Sequence, residues 1–107
     1  MMVSESTAPE LSVVVPVKDE AENLAPLIDE ICNSLESANL GFEILYVDDG
    51  SMDATPALLA DLMTVRPILR AIRHRKCRGQ SAAIATGVFA ARANLIATLD
   101  GDGQNDP

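Results

Sequence analysis

Apolar and polar residues alternate along this chain in blocks whose lengths suit strands and helices in turn. Leu11-Ser-Val-Val-Val-Pro-Val17 is a short β-branched run of the kind that fills a strand buried on both faces. Pro16 has no backbone donor, so it is expected to mark that strand's end. The acid-rich stretch 18–23 suits a helix's first turn, and Leu24, Leu27, Ile28, Ile31 and Leu35 then recur at helical spacing. This helix should run to about Ala38, with Pro26 tolerated near its start and Asn39 and Gly41 as stop signals. Phe42–Val47 reads as a second strand that ends in Asp48-Asp49-Gly50-Ser51. Asp53 or Ser51 can cap a second helix, with Leu58, Leu59, Leu62 and Met63 on its apolar face and Pro67 ending it. Ile68–Ile72 is a weaker third strand, 82–93 a helix rich in Ala and Gly, and Leu95–Leu99 a fourth strand.

The order β-α-β-α-β-α-β with short loops predicts an α/β fold: a three-layer, Rossmann-like parallel sheet with right-handed crossovers. Ligands of such sheets bind outside the carboxyl ends of the strands. Those ends carry, in order, Pro16–Glu20, Asp48–Ser51, Arg73–Gly79 and Asp100–Asp102. The polar oddities of the sequence therefore fall on one edge.

Bulk properties narrow the reading. With 107 residues the chain suits one domain, and residues 1–10 read as a polar leader before it. A 48% hydrophobic content with only 3% aromatic residues means an aliphatic core. Net charge is −8, which argues against unaided binding to nucleic acid or an anionic membrane. Even so, Arg70, Arg73, Arg75, Lys76 and Arg78 lie within nine positions, so one locality could take an anion. Cys32 and Cys77 have no CxxC spacing and read as reduced thiols, pointing to the cytoplasm. No apolar run approaches the ~20 residues of a membrane span.

Each candidate group has a bland reading beside a chemical one. Asp100 and Asp102 end an apolar strand with one glycine between them. They could hold Mg²⁺ or Mn²⁺ against phosphates, and a plain turn would use the same residues. Asp48 and Asp49 are adjacent, so one should face a ligand while the other binds local backbone; Asp49 is expected to be the former. The basic cluster could neutralise a diphosphate, with Gly79 opening a helix N-terminus to it, or be an ordinary solvated loop. Glu20 could bind a ligand hydroxyl or simply complement a helix dipole. His74 is one isolated imidazole without a partner motif.

Read together, Val-Val-Val-Pro-Val-Lys-Asp-Glu-Ala-Glu-Asn (13–23), Val-Asp-Asp-Gly-Ser-Met-Asp (47–53), Gly-Gln-Ser-Ala-Ala (79–83) and Leu-Asp-Gly-Asp-Gly-Gln-Asn-Asp-Pro (99–107) resemble the amino-terminal half of family 2 glycosyltransferases of the GT-A fold. The branch they resemble most includes dolichyl-phosphate mannosyltransferase and bacterial polyprenyl-phosphate sugar transferases. The resemblance covers residues 11–107 and implies a metal-assisted transfer from a nucleotide-diphosphate sugar, a UDP- or GDP-sugar, to a lipid phosphate.

On matching positions, the resemblance implies that Pro16, Lys18, Glu20, Val47 and Asp49 border the base and ribose. Asp100, Gly101 and Asp102 would form a D-x-D motif, with Asp102 the direct metal ligand, Asp100 near metal and ribose, and Gln104 by the sugar phosphate. Lys18 departs from the tyrosine of many relatives, so a lysine stem or cation–π contact would replace base stacking. An acceptor-side catalytic base is expected beyond residue 107, and donor binding without transfer is the alternative for this stretch. An Asp-dependent phosphatase is a weaker rival, because its nucleophile would follow the first strand. With strand order 3-2-1-4 the fourth strand would lie bare at an edge, which predicts a homo-oligomer through Leu95–Leu99. The intact protein would work in the cytoplasm or at the cytoplasmic face of a membrane.

Overall fold

A computed structural model describes residues 8–99. Its four strands form one parallel sheet: β1 (Leu11–Val17), β2 (Phe42–Asp48), β3 (Leu69–Arg73) and β4 (Leu95–Thr98), in the order β3-β2-β1-β4. The crossovers are helices α1 (Leu24–Ser37), α2 (Thr55–Val65) and α3 (Gln80–Ala90), and a single 3-10 turn over Ala21–Asn23 precedes α1. The expected topology is the one observed.

Strand alternation divides the core into two faces. Val13, Val15, Val17, Ile44, Tyr46 and Leu69 join Leu24, Ile28, Ile31 and Leu59 in one aliphatic cluster beneath α1 and α2. The opposite face carries Val14 and Val47, and there α3 lies flat on the sheet. A Cβ built on Gly87 would stand 2.3 Å from a methyl of Val14, so the close approach requires a residue with no side chain. This explains why the third helix is built of small residues.

Several boundaries differ from expectation by a residue or more, and those at Pro16 and at the end of α3 do so for identifiable reasons. Pro16 lies within β1 rather than at its end, paired with Val47. The Val14 carbonyl faces β4, accepting from Leu99, so by alternation Pro16 also faces that side, beyond the last β1–β4 pair at Val14–Thr98. Its missing N–H removes no bond from the described ladder. Helix α3 starts at Gln80 and stops at Ala90, not at Ala93. Ala91 is extended because the next two amides are claimed from the sheet: Arg92 N–H by Glu43 and Ala93 N–H by the Ser12 hydroxyl.

Those contacts belong to a polar clamp at the amino end of the sheet. Glu43 is 4% exposed and accepts from Ser12 Oγ at 2.6 Å, Arg70 Nη1 at 2.7 Å and Arg92 N at 2.8 Å. Arg70 also donates to the Ala90 carbonyl at 3.2 Å, closing the end of α3. Burial opposes ionisation of Glu43, but these donors outweigh it and lower its pKa. No helix among the described residues is long and apolar enough to cross a membrane.

Candidate functional site

At the carboxyl edge, the loops that follow β1 and β2 clasp one another. Asp19 adopts φ 54°, a left-handed conformation that Asp tolerates better than most residues. Its N–H donates to Ser51 Oγ at 2.8 Å, while its carboxylate accepts from Met52 N at 2.7 Å and Asp53 N at 3.2 Å. Glu20 N–H reaches Thr55 Oγ1, and Ala21 N–H reaches Asp53 Oδ2. Asp53 also accepts Thr55 N–H at 2.8 Å from one residue outside the cap position; the N-cap of α2 is Ala54, not Asp53 or Ser51 as expected. Asn23 donates to the Glu20 carboxylate.

The adjacent acids at the tip of β2 point to opposite faces, as strand geometry requires. Asp48 Oδ1 accepts Ser51 N–H at 2.9 Å; Oδ2 is buried, has no hydrogen-bond partner among the described residues and faces Arg73 Nε at 3.7 Å. Asp49, on the α3 face, is 5% exposed and gathers donors from the β3–α3 loop. Oδ1 takes His74 Nδ1 at 2.8 Å and Arg78 N at 2.9 Å; Oδ2 takes Gly79 N at 2.8 Å and Cys77 Sγ at 3.3 Å. Burial opposes the charge, but the Arg78 and Gly79 amides, His74 and Cys77 outweigh it, holding the Asp49 carboxyl at about 2. An ionised Asp49 only accepts, so His74 Nδ1 carries the shared proton, and Nε2 lies 2.8 Å from Thr86 Oγ1 on α3.

The expected residues therefore occupy distinct places. Lys18 is exposed beside the clasp and Glu20 is half-buried, whereas Pro16 and Val47 lie inside the sheet. Asp49 shares their edge but is turned into the β3–α3 loop rather than toward open space. The basic cluster divides. Arg70 belongs to the clamp at the far end of the sheet, and Arg73 donates to the Ser51 carbonyl at 3.1 Å. Arg75, Lys76 and Arg78 stay exposed on the rim. Gly79 does begin α3 with φ 102°, but its N–H and that of Arg78 are committed to Asp49, not open to a diphosphate.

His74 is the group that sequence reasoning undervalued. Asp48 is in register with Arg73, so the next residue of each strand, Asp49 and His74, must also be neighbours. Asp100, Gly101, Asp102 and Gln104, with the expected metal ligands among them, lie outside the described residues. Among the described residues, no group of three or more His, Cys, Asp or Glu could hold a metal ion. The two cysteines are free, Cys32 buried and Cys77 exposed.

The model of the family described as Glycosyl transferase family 2 matches residues 12–107. Dodecaprenyl-phosphate galacturonate synthase of Rhizobium johnstonii is 39% identical over 99 residues, covering 92% of this chain and 29% of that protein. Undecaprenyl-phosphate 4-deoxy-4-formamido-L-arabinose transferase of Aeromonas hydrophila is 34% identical over 98 residues, covering 91% and 30%. The chain thus spans about three tenths of the length of these curated relatives. Among solved structures, the mannosyltransferase PcManGT of Pyrobaculum calidifontis, in complex with GDP-Man and Mn²⁺, superposes with TM-score 0.69 at 25% identity, over 91% of this chain and 28% of that one. Mannosyl-3-phosphoglycerate synthase of Rubrobacter xylanophilus shares the fold at TM-score 0.74 and 24% identity, over 92% and 32%.

Proposed function

The chain belongs to glycosyl transferase family 2, and from that premise we propose that its carboxyl rim is the donor half of a polyprenyl-phosphate sugar transferase. The observation that carries this reading is convergence: the tips of β1, β2 and β3 and the exit of β4 share one edge. The donor is a nucleotide-diphosphate sugar with uridine or guanosine as its nucleoside. Pro16, Lys18, Glu20, Val47 and Asp49 border the nucleoside, and exposed Arg75, Lys76 and Arg78 lie near enough in the fold to attract the diphosphate. The acceptor is a dolichyl or undecaprenyl phosphate, which places the intact protein at the cytoplasmic face of a membrane, in envelope or glycolipid synthesis.

Asp100 and Asp102 supply oxygen ligands of the hard type that Mg²⁺ or Mn²⁺ takes, with Gln104 beside the sugar phosphate. A divalent cation bound there would offset the charge developing on the departing nucleoside diphosphate. The solved mannosyltransferase with GDP-Man and Mn²⁺ supports that choice of ion and donor class. Isothermal titration of UDP- and GDP-sugars with and without Mn²⁺ tests the reading. Metal-dependent binding that Asp102→Ala removes is expected, and binding indifferent to both metal and Asp102 overturns it.

For this 107-residue chain, donor binding is the step proposed, and transfer belongs to the whole protein. A product assay with lipid phosphate separates binding from turnover. Among the described residues β4 is an edge strand with Leu95 63% exposed, which supports self-association of this 107-residue chain through that strand. Light scattering at high concentration checks it, and a monomer throughout overturns it.

A further inference from the structure

The Asp49 carboxylate has about four lone-pair positions, and four protein donors fill them. If Asp49 is to touch the nucleotide, as the reading above has it, one donor must leave. Three cannot leave cheaply. The Arg78 and Gly79 amides are part of the backbone entering α3, and His74 is buried with its second nitrogen held by Thr86. The fourth is different. Cys77 is exposed, its thiol is a weak donor, and its 3.3 Å contact is the longest of the set. Its backbone is nonetheless fixed, because it passes directly over Gly50. A Cβ added to Gly50 would lie 2.7 Å from Cys77 N. The side chain can therefore rotate away while the loop stays where it is.

We propose that the Cys77 thiol is an exchangeable occupant of the Asp49 Oδ2 site, displaced by an N–H or O–H of the bound nucleotide sugar, so that residue 77 sets donor affinity. This rests on the donor-binding reading and makes Cys77 a specificity-determining residue rather than a catalytic one. No covalent step is involved. One hydrogen bond is exchanged for another, and Asp49 remains ionised throughout.

Two variants separate the idea from a structural role. Cys77→Ala leaves the Oδ2 position open, while Cys77→Ser fills it with a stronger hydroxyl donor. UDP, GDP, UDP-GlcNAc and GDP-mannose, each with Mn²⁺, should bind Cys77→Ala at least as well as the wild type. They should bind Cys77→Ser about tenfold more weakly than Cys77→Ala, as expected for a competing charge-assisted hydrogen bond. Equal melting temperatures for the three proteins establish that folding is not the cause. The infrared S–H stretch gives a second readout: the band assigned to Cys77, by its loss in Cys77→Ala, should shift toward its free position when nucleotide binds. If the wild type binds nucleotide but the S–H band stays put and both variants bind alike, the exchange is overturned and donor binding stands. If the wild type binds none of the four, both proposals fall.

Discussion

The two ends of the sheet each bury a carboxylate and surround it with donors, yet they differ in what those donors can do. At the amino end, Glu43 is held by Ser12 within the sheet, by the Arg92 amide and by an Arg70 that is itself tied to the end of α3. Each of these groups has a second job in the framework, so the cluster is a fastening. At the carboxyl end, Asp49 is just as buried and just as fully bonded, but one of its donors is an exposed thiol on a basic loop. A buried acid with a full set of partners is therefore no sign of function by itself. The informative property is whether one partner can be given up without moving the backbone.

The largest expected effect tests the fastening. Glu43→Ala leaves Arg70, Ser12 and the Arg92 amide without their acceptor, and should cost about 3–5 kcal/mol in urea denaturation, as removal of one partner from a buried ion pair does. A loss below 1 kcal/mol, roughly the value of a surface pair, would mean that the amino end is no clamp.

Next comes Asp49→Asn, which keeps the shape but cannot accept from all four donors. It should destabilise by about 1–3 kcal/mol, and it should abolish nucleotide binding. Its acid dependence carries a definite sign. The Asp49 carboxyl sits at about 2 when folded against its ordinary 3.8, so its stabilising contribution is complete above about 4 and fades as pH falls toward 2. Glu43, also lowered, acts in the same direction. Melting temperatures measured from pH 5 to pH 2 should fall less steeply in Asp49→Asn than in the wild type; parallel curves would remove Asp49 from the acid response.

A third substitution disturbs the rim alone. Gly50 has φ 78°, and a Cβ there would press on the backbone at 76–77. Gly50→Ala should cost about 1–3 kcal/mol through strain and overpacking, and shift amide resonances of residues 74–79 while leaving those of Ser12, Glu43 and Arg92 in place. Shifts at both ends would show the two clusters to be coupled. The smallest effect is a control. Arg66 and Asp29 form an exposed pair at 2.8 Å belonging to neither end, and Arg66→Ala should change stability by less than about 1 kcal/mol.

The parallel sheet was legible because each apolar run ends in a polar signature and alternating runs leave few topologies open, whereas the strand order entered only as an assumption alongside the family resemblance. The carboxyl rim was legible for the same reason. The amino-end clamp was missed, although its signal is present. Ser12, Glu43 and Arg70 each interrupt an apolar run and share the α3 face: the register sets Ser12 opposite Glu43, while Arg70, opposite Leu45, reaches back along the strand to Glu43. Taken one strand at a time, each looks like a residue facing solvent. His74 escaped for a related reason, since its partner Asp49 lies 25 residues earlier and only strand pairing brings them together. The division of the basic cluster was illegible as well. Nine consecutive positions look like one patch, whereas β3 carries Arg70 to one end of the sheet and delivers Arg75, Lys76 and Arg78 to the other.

The reciprocal bonds between Asp19 and residues 51–53 have a kinetic corollary. Two loops joined through both backbone and side chain at several points behave as one stiff jaw, so neither can open without the other. Among the described residues, exposed side chains at 75–78 border the same edge, so adjustment to an entering molecule is expected of them rather than of the jaw.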